Sequence, residues 1–538
     1  MGLDYAKTIE KWDVLEATIS GPNEGNPFCD QWIKGTFCCK NEKKTVDGFY
    51  DGDGVYKVRF MPSFTDEYTF EIEASFDIKA GAEVPDEGEP EHKHGTADDG
   101  TEAEQYAVRN ILTGSFTVIP PSADNHGPVR VAGTYYLAYE DGTPYHCIGT
   151  TCYVWNLQNE ELQKQTLKTL EENAFNKIRF CIFPKHYDYN LHEPITYPYE
   201  GTPYDSSVLN ENNFAEYNGC APGNDWDFTR FNPAHFQHIE KCIQALMNLG
   251  IEADLIVMHP YDRWGFSMMK AEDDDRYWKY VLARFSAYRN VWWSLANEYD
   301  LMHKKTLSDW ERYAGIICEK DPYHHLRSIH NCKAYYDYNL PWITHCSIQR
   351  TETYRSSELV NEWREKYHKP VILDEICYEG NIQFGWGNIS GEEMTRRFWE
   401  AFCRGGYPGH GETYLSPDRI LWWSHGGVLH GTSPDRIRFL AKIMEETPGL
   451  GVEPMPCKWD EVACRAAGFP ARKDYFIYYY SFMRPGFRDF YFDDTTEYQV
   501  EIIDTWEMTV TDGGIHKGKF RVKLPGKEYM AVRLQIAK

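Results

Sequence analysis

Up to about residue 125, apolar positions recur at every second residue in short runs such as VYKVRFMP and YTFEIEAS. Turn-forming sequence separates the runs, as at Asp51-Gly52-Asp53-Gly54. A period of two with Gly/Asp punctuation is the pattern of half-buried antiparallel strands. It predicts a β-sandwich over residues 1–125. Residues 79–104 break the pattern with a polar, acidic stretch, KAGAEVPDEGEPEHKHGTADDGTEAE. This stretch cannot bury a core and predicts a solvated loop before the strand TGSFTVIP. His92 and His94 within it read as loop residues rather than metal ligands.

From about residue 126 the periodicity changes. Continuous apolar runs now alternate with helices of period 3.6. PYHCIGTTCYVW precedes a helix beginning near Leu157. NKIRFCIFP leads, through a long connection, to a helix with Phe236, Ile239, Ile243 and Leu246 on one face. EADLIVMHP precedes a helix carrying Trp278, Leu282 and Phe285. VWWSLANE, LRSIHN, WITHCSI, KPVILDE and RILWWSHGG follow, giving eight strand candidates. Strands buried on both faces read as unbroken apolar runs. Eight such units predict a (β/α)8 TIM barrel over residues 126–452. The unit between LRSIHN and WITHCSI has the weakest helix. Residues 453–538 return to strand periodicity (YQVEIIDT, KFRVKLP, YMAVRLQI) and predict a second, C-terminal β-sandwich. The fold class is therefore α/β, one barrel flanked by two sandwiches.

Composition narrows the function. Lys and Arg total 56 against 82 Asp and Glu, a net charge of −26, which disfavours nucleic acid and anionic surfaces as partners. No apolar run reaches the ~18 residues of a membrane span, so no membrane partner is expected. The N-terminal MGLDYAKTIEKWDV lacks a signal-type apolar stretch, which predicts a cytoplasmic protein unless a leader has been removed. Self-association into a homo-oligomer is left open. The 15 cysteines are odd in number and irregularly spaced, which fits free thiols better than a disulfide framework or a zinc site. Aromatics make up 15% of the chain, a density that suits stacking against sugar faces and equally a large core.

Barrels of this kind carry their chemistry at the C-terminal ends of the strands. In order, those ends supply Thr150 and Thr151, Arg179, His259, Asn297 with Glu298, His330, His345, Glu375, and Trp422 with Trp423. Two carboxylates, Glu298 and Glu375, end the fourth and seventh strands. Glycoside hydrolysis needs such a pair, one proton donor and one nucleophile or base. No metal or organic cofactor is called for. The long connection 184–231 carries Tyr187, Tyr189, Tyr197, Tyr199, Tyr204, Trp226 and Phe228. It reads as a wall closing part of the cleft, the alternative being a packed excursion over the barrel.

WSLANEYD around Glu298 and VILDEICYEG around Glu375 resemble the strand-four and strand-seven motifs of clan A glycoside hydrolases. Arg179, His259 and the strand-eight tryptophan fit the family 5-like pattern. The run from NPFCDQW through GFYDGDGVYKVRFMP resembles the N-terminal domain (DUF5060) of a bacterial glycosidase group whose barrel is called DUF4038 or apiosidase-like. The resemblance implies a carbohydrate substrate and a retaining mechanism, while the long connection and the lack of a signal-type stretch predict exo action on short oligosaccharides or glycosides. The resemblance also implies Glu375 as nucleophile, kept ionised by Arg179, and Glu298 as acid/base, kept protonated by an apolar setting and a neighbouring carboxylate. Asn297, His259 and His330 would bind sugar hydroxyls or the carboxylates, and Trp422 or Trp423 would form the stacking floor. His345, Gln349 or Tyr378 would orient the nucleophile. Several residues keep a second reading. Asp374 or Glu379 could stand for Glu375, Arg179 could be a structural ion-pair partner, and Glu412 could bind sugar or be a solvated loop carboxylate. Two rivals remain: an inactive carbohydrate-binding protein, and an aldolase or metal-dependent hydrolase, for which Lys185 near strand two is the one strand-tip lysine.

Overall fold

The computed structural model describes residues 3–78, 110–186, 194–208, 210, 220–418, 420–456 and 461–537. The acidic segment with His92 and His94 lies outside them, as do Tyr187 and Tyr189. Eight parallel strands form the central sheet: β1 (Gly149–Thr151), β2 (Lys177–Cys181), β3 (Glu252–Met258), β4 (Val291–Ala296), β5 (Arg327–Ser328), β6 (Cys346–Gln349), β7 (Val371–Glu375) and β8 (Tyr407–His410). They are hydrogen-bonded in the order β5-β4-β3-β2-β1-β8-β7-β6. One parallel bridge, His330 to Ser347, joins the two ends, so the barrel is nearly closed.

Helices follow most strands: α1 (Glu160–Glu171), α2 (Pro233–Asn248), α3 (Ala271–Phe285), α4 (Leu307–Lys320), α5 (Val360–Tyr367), α6 (Gly391–Cys403) and α7 (Ser433–Glu445). Their starts are encoded locally. Asn159 caps α1, Asn232 with Pro233 opens α2, Thr306 and Asp309 form a capping box on α4, and Ser390 caps α6. The apolar faces anticipated on α2 and α3 are fully buried, with Phe236, Ile239, Ile243, Leu246, Trp278, Leu282 and Phe285 all at 0% exposure. Between β5 and β6 the chain forms no helix, in keeping with the weak pattern there.

The eighth strand is not where the apolar run placed it. Tyr407–His410 occupies that position, and Trp422–His425 is a single helical turn. Short apolar runs do not by themselves separate strand from buried helix. A β-carbon on Gly409 would lie 2.8 Å from the carbonyl oxygens of Leu373 and Asp374. The close approach of β8 to β7 therefore needs glycine, and the sequence YPGH gives no strand signal.

The barrel interior beneath the site is ionic. Lys177 Nζ lies 2.7 Å from both Asp254 and Asp374, and Arg179 Nε lies 3.7 and 3.8 Å from the same two. Burial alone would raise the Asp374 carboxyl, but Lys177 and Arg179 hold it well below the usual carboxylate range.

On the N-terminal side, a five-stranded sheet runs in the order Thr8–Glu10, Asn110–Ile119, Glu67–Ala74, Ile33–Cys38, Lys43–Asp47. A three-stranded sheet holds Leu15–Ser20, Val55–Phe60 and Phe49–Tyr50. The two share a core in which Phe37 stacks on Phe60 at 4.3 Å. This unit locks onto the barrel through Arg59 to Glu240 (2.6 Å) and Asp51 to Arg284 (2.7 Å). At the other end, a six-stranded sheet and a two-stranded ribbon follow α7. Tyr479 of that sheet stacks on Trp399 of α6. The described cysteines are all free.

Candidate active site

Both predicted carboxylates face one cleft at the C-terminal ends of the strands. The cleft encloses about 280 Å³ and is lined by Tyr153, Lys185, Tyr261, Glu298, Cys332, Gln349, Arg350, Glu375, Tyr378, Trp386 and Trp423, among others. Glu375 is the last residue of β7 and Glu298 lies two residues beyond β4. Glu298 has φ +52° and ψ 56°, a left-handed conformation that costs a non-glycine residue energy. Such strain persists where the surroundings over-determine it. Here they do, since three side chains grip the carboxylate. Gln349 Nε2 donates to Oε1 at 2.9 Å, Asn297 Nδ2 donates to Oε2 at 3.2 Å, and the Tyr261 hydroxyl donates to Oε2.

Glu375 is held separately. Its Oε1 accepts from Arg179 Nη1 at 3.2 Å and from the Tyr153 hydroxyl, and His330 Nε2 lies 3.9 Å away. Asn297 joins the two sets. Its Oδ1 accepts from Arg179 Nη2 at 3.2 Å and lies 3.0 Å from the Tyr153 oxygen. Burial pushes the Glu375 carboxyl up, the Glu298 charge pushes the same way, and Arg179 and the Tyr153 hydrogen bond oppose both. The simple expectation that Arg179 settles the charge of Glu375 is therefore incomplete. Tyr153 and Tyr261 are raised well above the ordinary phenol range, chiefly by burial and then by the carboxylates, so both remain donors. Burial pushes His330 well below the ordinary imidazole range, leaving it neutral.

An aromatic wall closes one side of the cleft. Trp386 lies 5.2 Å from Trp423 and 6.0 Å, edge-on, from Tyr378, and Phe384 stacks on Trp386. The sequence reading named Trp423 and Tyr378 but missed Trp386, Phe384, Tyr153 and Tyr261.

Other predicted residues lie outside the cleft. Trp422 turns away, and its Nε1 donates to Thr150 Oγ1 at 2.9 Å. His345 precedes β6 and so sits at the opposite end of the barrel, its ring 5.5 Å from Trp292. His259 is buried with Nε2 3.4 Å from the Phe183 carbonyl. Asp374 is held by Lys177 at 2.7 Å and does not line the cleft, whereas Glu375 does. Glu412 is neither solvated nor in the cleft. It is 1% exposed and accepts from the backbone N–H of His430 and, at 2.7 Å, of Gly431. Glu379 beside it accepts from Thr432 and Ser433 at the start of α7. With His410 these two carboxylates form the one group of three metal-ligating side chains among the described residues, within 4.8 Å of one another.

The described part of the aromatic connection is a packed excursion. Tyr199–Thr202 pairs antiparallel with Asp225–Phe231, and Tyr199 stacks on Phe231 at 5.2 Å. Tyr197, Tyr199, Tyr204, Trp226 and Phe228 are absent from the cleft lining.

Residues 132–436 match the family model described as apiosidase-like, catalytic domain. The chain belongs to the apiosidase-like family. It is a glycoside hydrolase. Two domains of unknown function flank the apiosidase-like barrel, DUF5060 over residues 8–75 and DUF5605 over 459–535. A solved structure described as a "putative glycoside hydrolase from Bacteroides vulgatus ATCC 8482" shares 37% identity over 99% of this chain and 100% of its own, with a TM-score of 0.85. A glycoside hydrolase family 5 structure from the same organism shares 16% identity over 77% of this chain and 93% of its own, at a TM-score of 0.56, which is a likeness of fold. No curated protein matches the chain. No described helix is long and apolar enough to cross a membrane.

Proposed function

We propose that this apiosidase-like chain is a retaining, exo-acting glycosidase of short oligosaccharides or glycosides, with Glu375 as nucleophile and Glu298 as acid/base. Glu375 attacks the anomeric carbon while Glu298 protonates the departing oxygen, giving a glycosyl ester and the free alcohol. Glu298, now ionised, takes a proton from water, whose oxygen displaces Glu375 and releases the sugar. Two inversions restore the starting configuration. One observation carries the reading: two carboxylates from β4 and β7 share a cleft, each with its own hydrogen-bond set. Arg179 and Tyr153 would stabilise the anionic Glu375 that leaves in the second step. Gln349, Asn297 and Tyr261 would aim Glu298 at the leaving oxygen. Trp423 and Trp386 would receive an apolar sugar face.

The exo reading rests on the size of the cavity, which at about 280 Å³ falls just below the ~300–1,000 Å³ usual for ligand pockets. The flanking sheets are read as two sandwiches, over residues 1–125 and 453–538, that brace the barrel of 126–452. The family description makes apiosides the first substrates to try, beside xylosides, galactosides, glucosides and arabinofuranosides. Glu375→Ala should abolish turnover of whichever nitrophenyl glycoside is cleaved, and azide should restore it as a glycosyl azide of inverted configuration. Undiminished activity in Glu375→Ala would reject the assignment.

A further inference from the structure

Beyond the ends of β7 and β8 the chain forms a second, shorter parallel ladder, Glu379–Gly380 with Glu412–Thr413. Its register sets Glu379 directly opposite Glu412. Like charges directly opposite each other destabilise a sheet, and here both are buried, at 0% and 1% exposure. Among the described residues no lysine or arginine forms an ion pair with either. The backbone N–H groups of His430, Gly431, Thr432 and Ser433 donate to the two carboxylates. Thr432 and Ser433 lie at the start of α7, whose N-terminus favours one negative charge but does not cancel two. A β-carbon on Gly431 would lie 2.5 Å from Glu379 Oε2 and 2.7 Å from Glu412 Oε2, so the loop closes directly over the pair.

His410 supplies a third group. It stands two residues before Glu412, on the same face of the extended chain. Its ring is fully buried and stacks on Phe175 at 4.8 Å. Nδ1 lies 3.1 Å from Thr150 Oγ1, and Nε2 has no hydrogen-bond partner among the described residues. A ring nitrogen and one oxygen of each carboxylate lie within 4.8 Å of one another, yet no hydrogen bond joins any two of these three side chains. Ligands ~2.0–2.2 Å from a tetrahedral ion stand ~3.3–3.6 Å apart, so the group need close by only about 1 Å to hold one.

We propose that Glu379, His410 and Glu412 form a binding site for one divalent transition-metal ion of the Zn²⁺ type. The two carboxylates cancel its charge. The imidazole favours such an ion over Ca²⁺ and Mg²⁺, which take oxygen ligands. The backbone N–H groups and Thr150 are the outer partners that orient ligating carboxylates and histidines, and each carboxylate keeps lone pairs for the ion. None of the three residues lines the cleft. The ion ties the ends of β7 and β8 to the start of α7 and takes no part in either displacement at Glu375.

The test uses the full chain with Zn²⁺ as the probe, after dialysis against EDTA at mildly acidic pH, where metal ligands compete with protons, and exchange into chelator-free buffer. Native mass spectrometry should show one Zn²⁺ per chain at a small excess of the ion. Saturating Zn²⁺ should raise the melting temperature by roughly 2–3 °C. Glu412→Gln and His410→Gln each remove one ligand and should lose both effects, and either one that folds suffices. A further measurement needs no variant: Co²⁺ in place of Zn²⁺ should show the strong visible absorption of a four-coordinate ion, and a spectrum unchanged from free Co²⁺ would overturn the proposal. The absence of a stoichiometric ion, as a proton shared between the two carboxylates would give, would also overturn it. So would a melting shift that persists in a folded variant, which would place the ion on surface histidines.

Discussion

Glu252→Gln should stabilise the protein increasingly as pH rises. Glu252 opens β3 at the barrel end opposite the cleft, and its Oε2 accepts from Trp292 Nε1 at 2.8 Å. Burial pushes its carboxyl up to about 8, against the Trp292 hydrogen bond and the more distant Arg289 and Arg130. Unfolded, it would titrate near 4.5. Between these values the folded chain holds a proton that the unfolded chain has released. Stability therefore falls as pH rises through the interval, and the full cost is present above the folded value. At 1.36 kcal/mol per pH unit, the gap between about 8 and 4.5 comes to about 5 kcal/mol at pH 9, about 3 at pH 7 and about 1 at pH 5. Glutamine keeps an acceptor for Trp292 and has no proton to lose. The gain should grow along that series, a large fraction of the ~5–15 kcal/mol that holds a typical domain. Melting of both proteins at pH 5, 7 and 9, at one scan rate, measures it. A difference that does not change with pH, or that shrinks as pH rises, would refute the reasoning.

Glu298→Ala should spare aryl glycosides with good leaving groups and slow alkyl or sugar glycosides by a further ~10²–10⁴-fold, since only the latter need a proton to depart. Equal losses across a leaving-group series would remove Glu298 as the acid. His345→Gln should lower the melting temperature yet leave kcat/KM within about two-fold, because the ring packs on Trp292 far from the cleft; a ten-fold kinetic loss would contradict that placement. Dialysis against EDTA should not change turnover, since both steps of the proposed mechanism run through carboxylates. A loss restored by a divalent ion would turn attention to Glu379, His410 and Glu412.

The barrel and its two carboxylates were legible because long amphipathic helices and unbroken apolar strands are repetitive signals, and WSLANE and VILDE end two of those strands. Less was legible where a residue's role depends on register or on what it lacks. His345 immediately precedes β6 and Gln349 ends it, four positions on, yet one is at the base and the other touches Glu298. A four-residue error in the placement of β6 puts His345 where Gln349 lies. Gly409 marks β8 by having no side chain, which leaves no hydrophobic trace. Tyr153 and Tyr261 follow the ends of β1 and β3, but among 38 tyrosines nothing in the local sequence sets them apart.

The side chain of Asn297 is a dipole wired in one direction. Its oxygen faces Arg179 and the Tyr153 hydroxyl, and its nitrogen faces Glu298. A flipped amide would set oxygen against oxygen on one side and N–H against N–H on the other, so the site admits one orientation. The nearest isostere is therefore the most damaging replacement. Aspartate has the same shape but brings a third carboxylate between two others in a water-poor cavity. One of the three would have to stay protonated, and the Glu298 contact would change from donor–acceptor to acid–acid. Alanine would merely leave a gap that water can enter. Hydrolysis of that single amide during storage would thus alter mass by about one dalton and shape hardly at all. It would still set a third acid between Glu298 and Glu375, a change of charge hidden inside an intact, folded preparation.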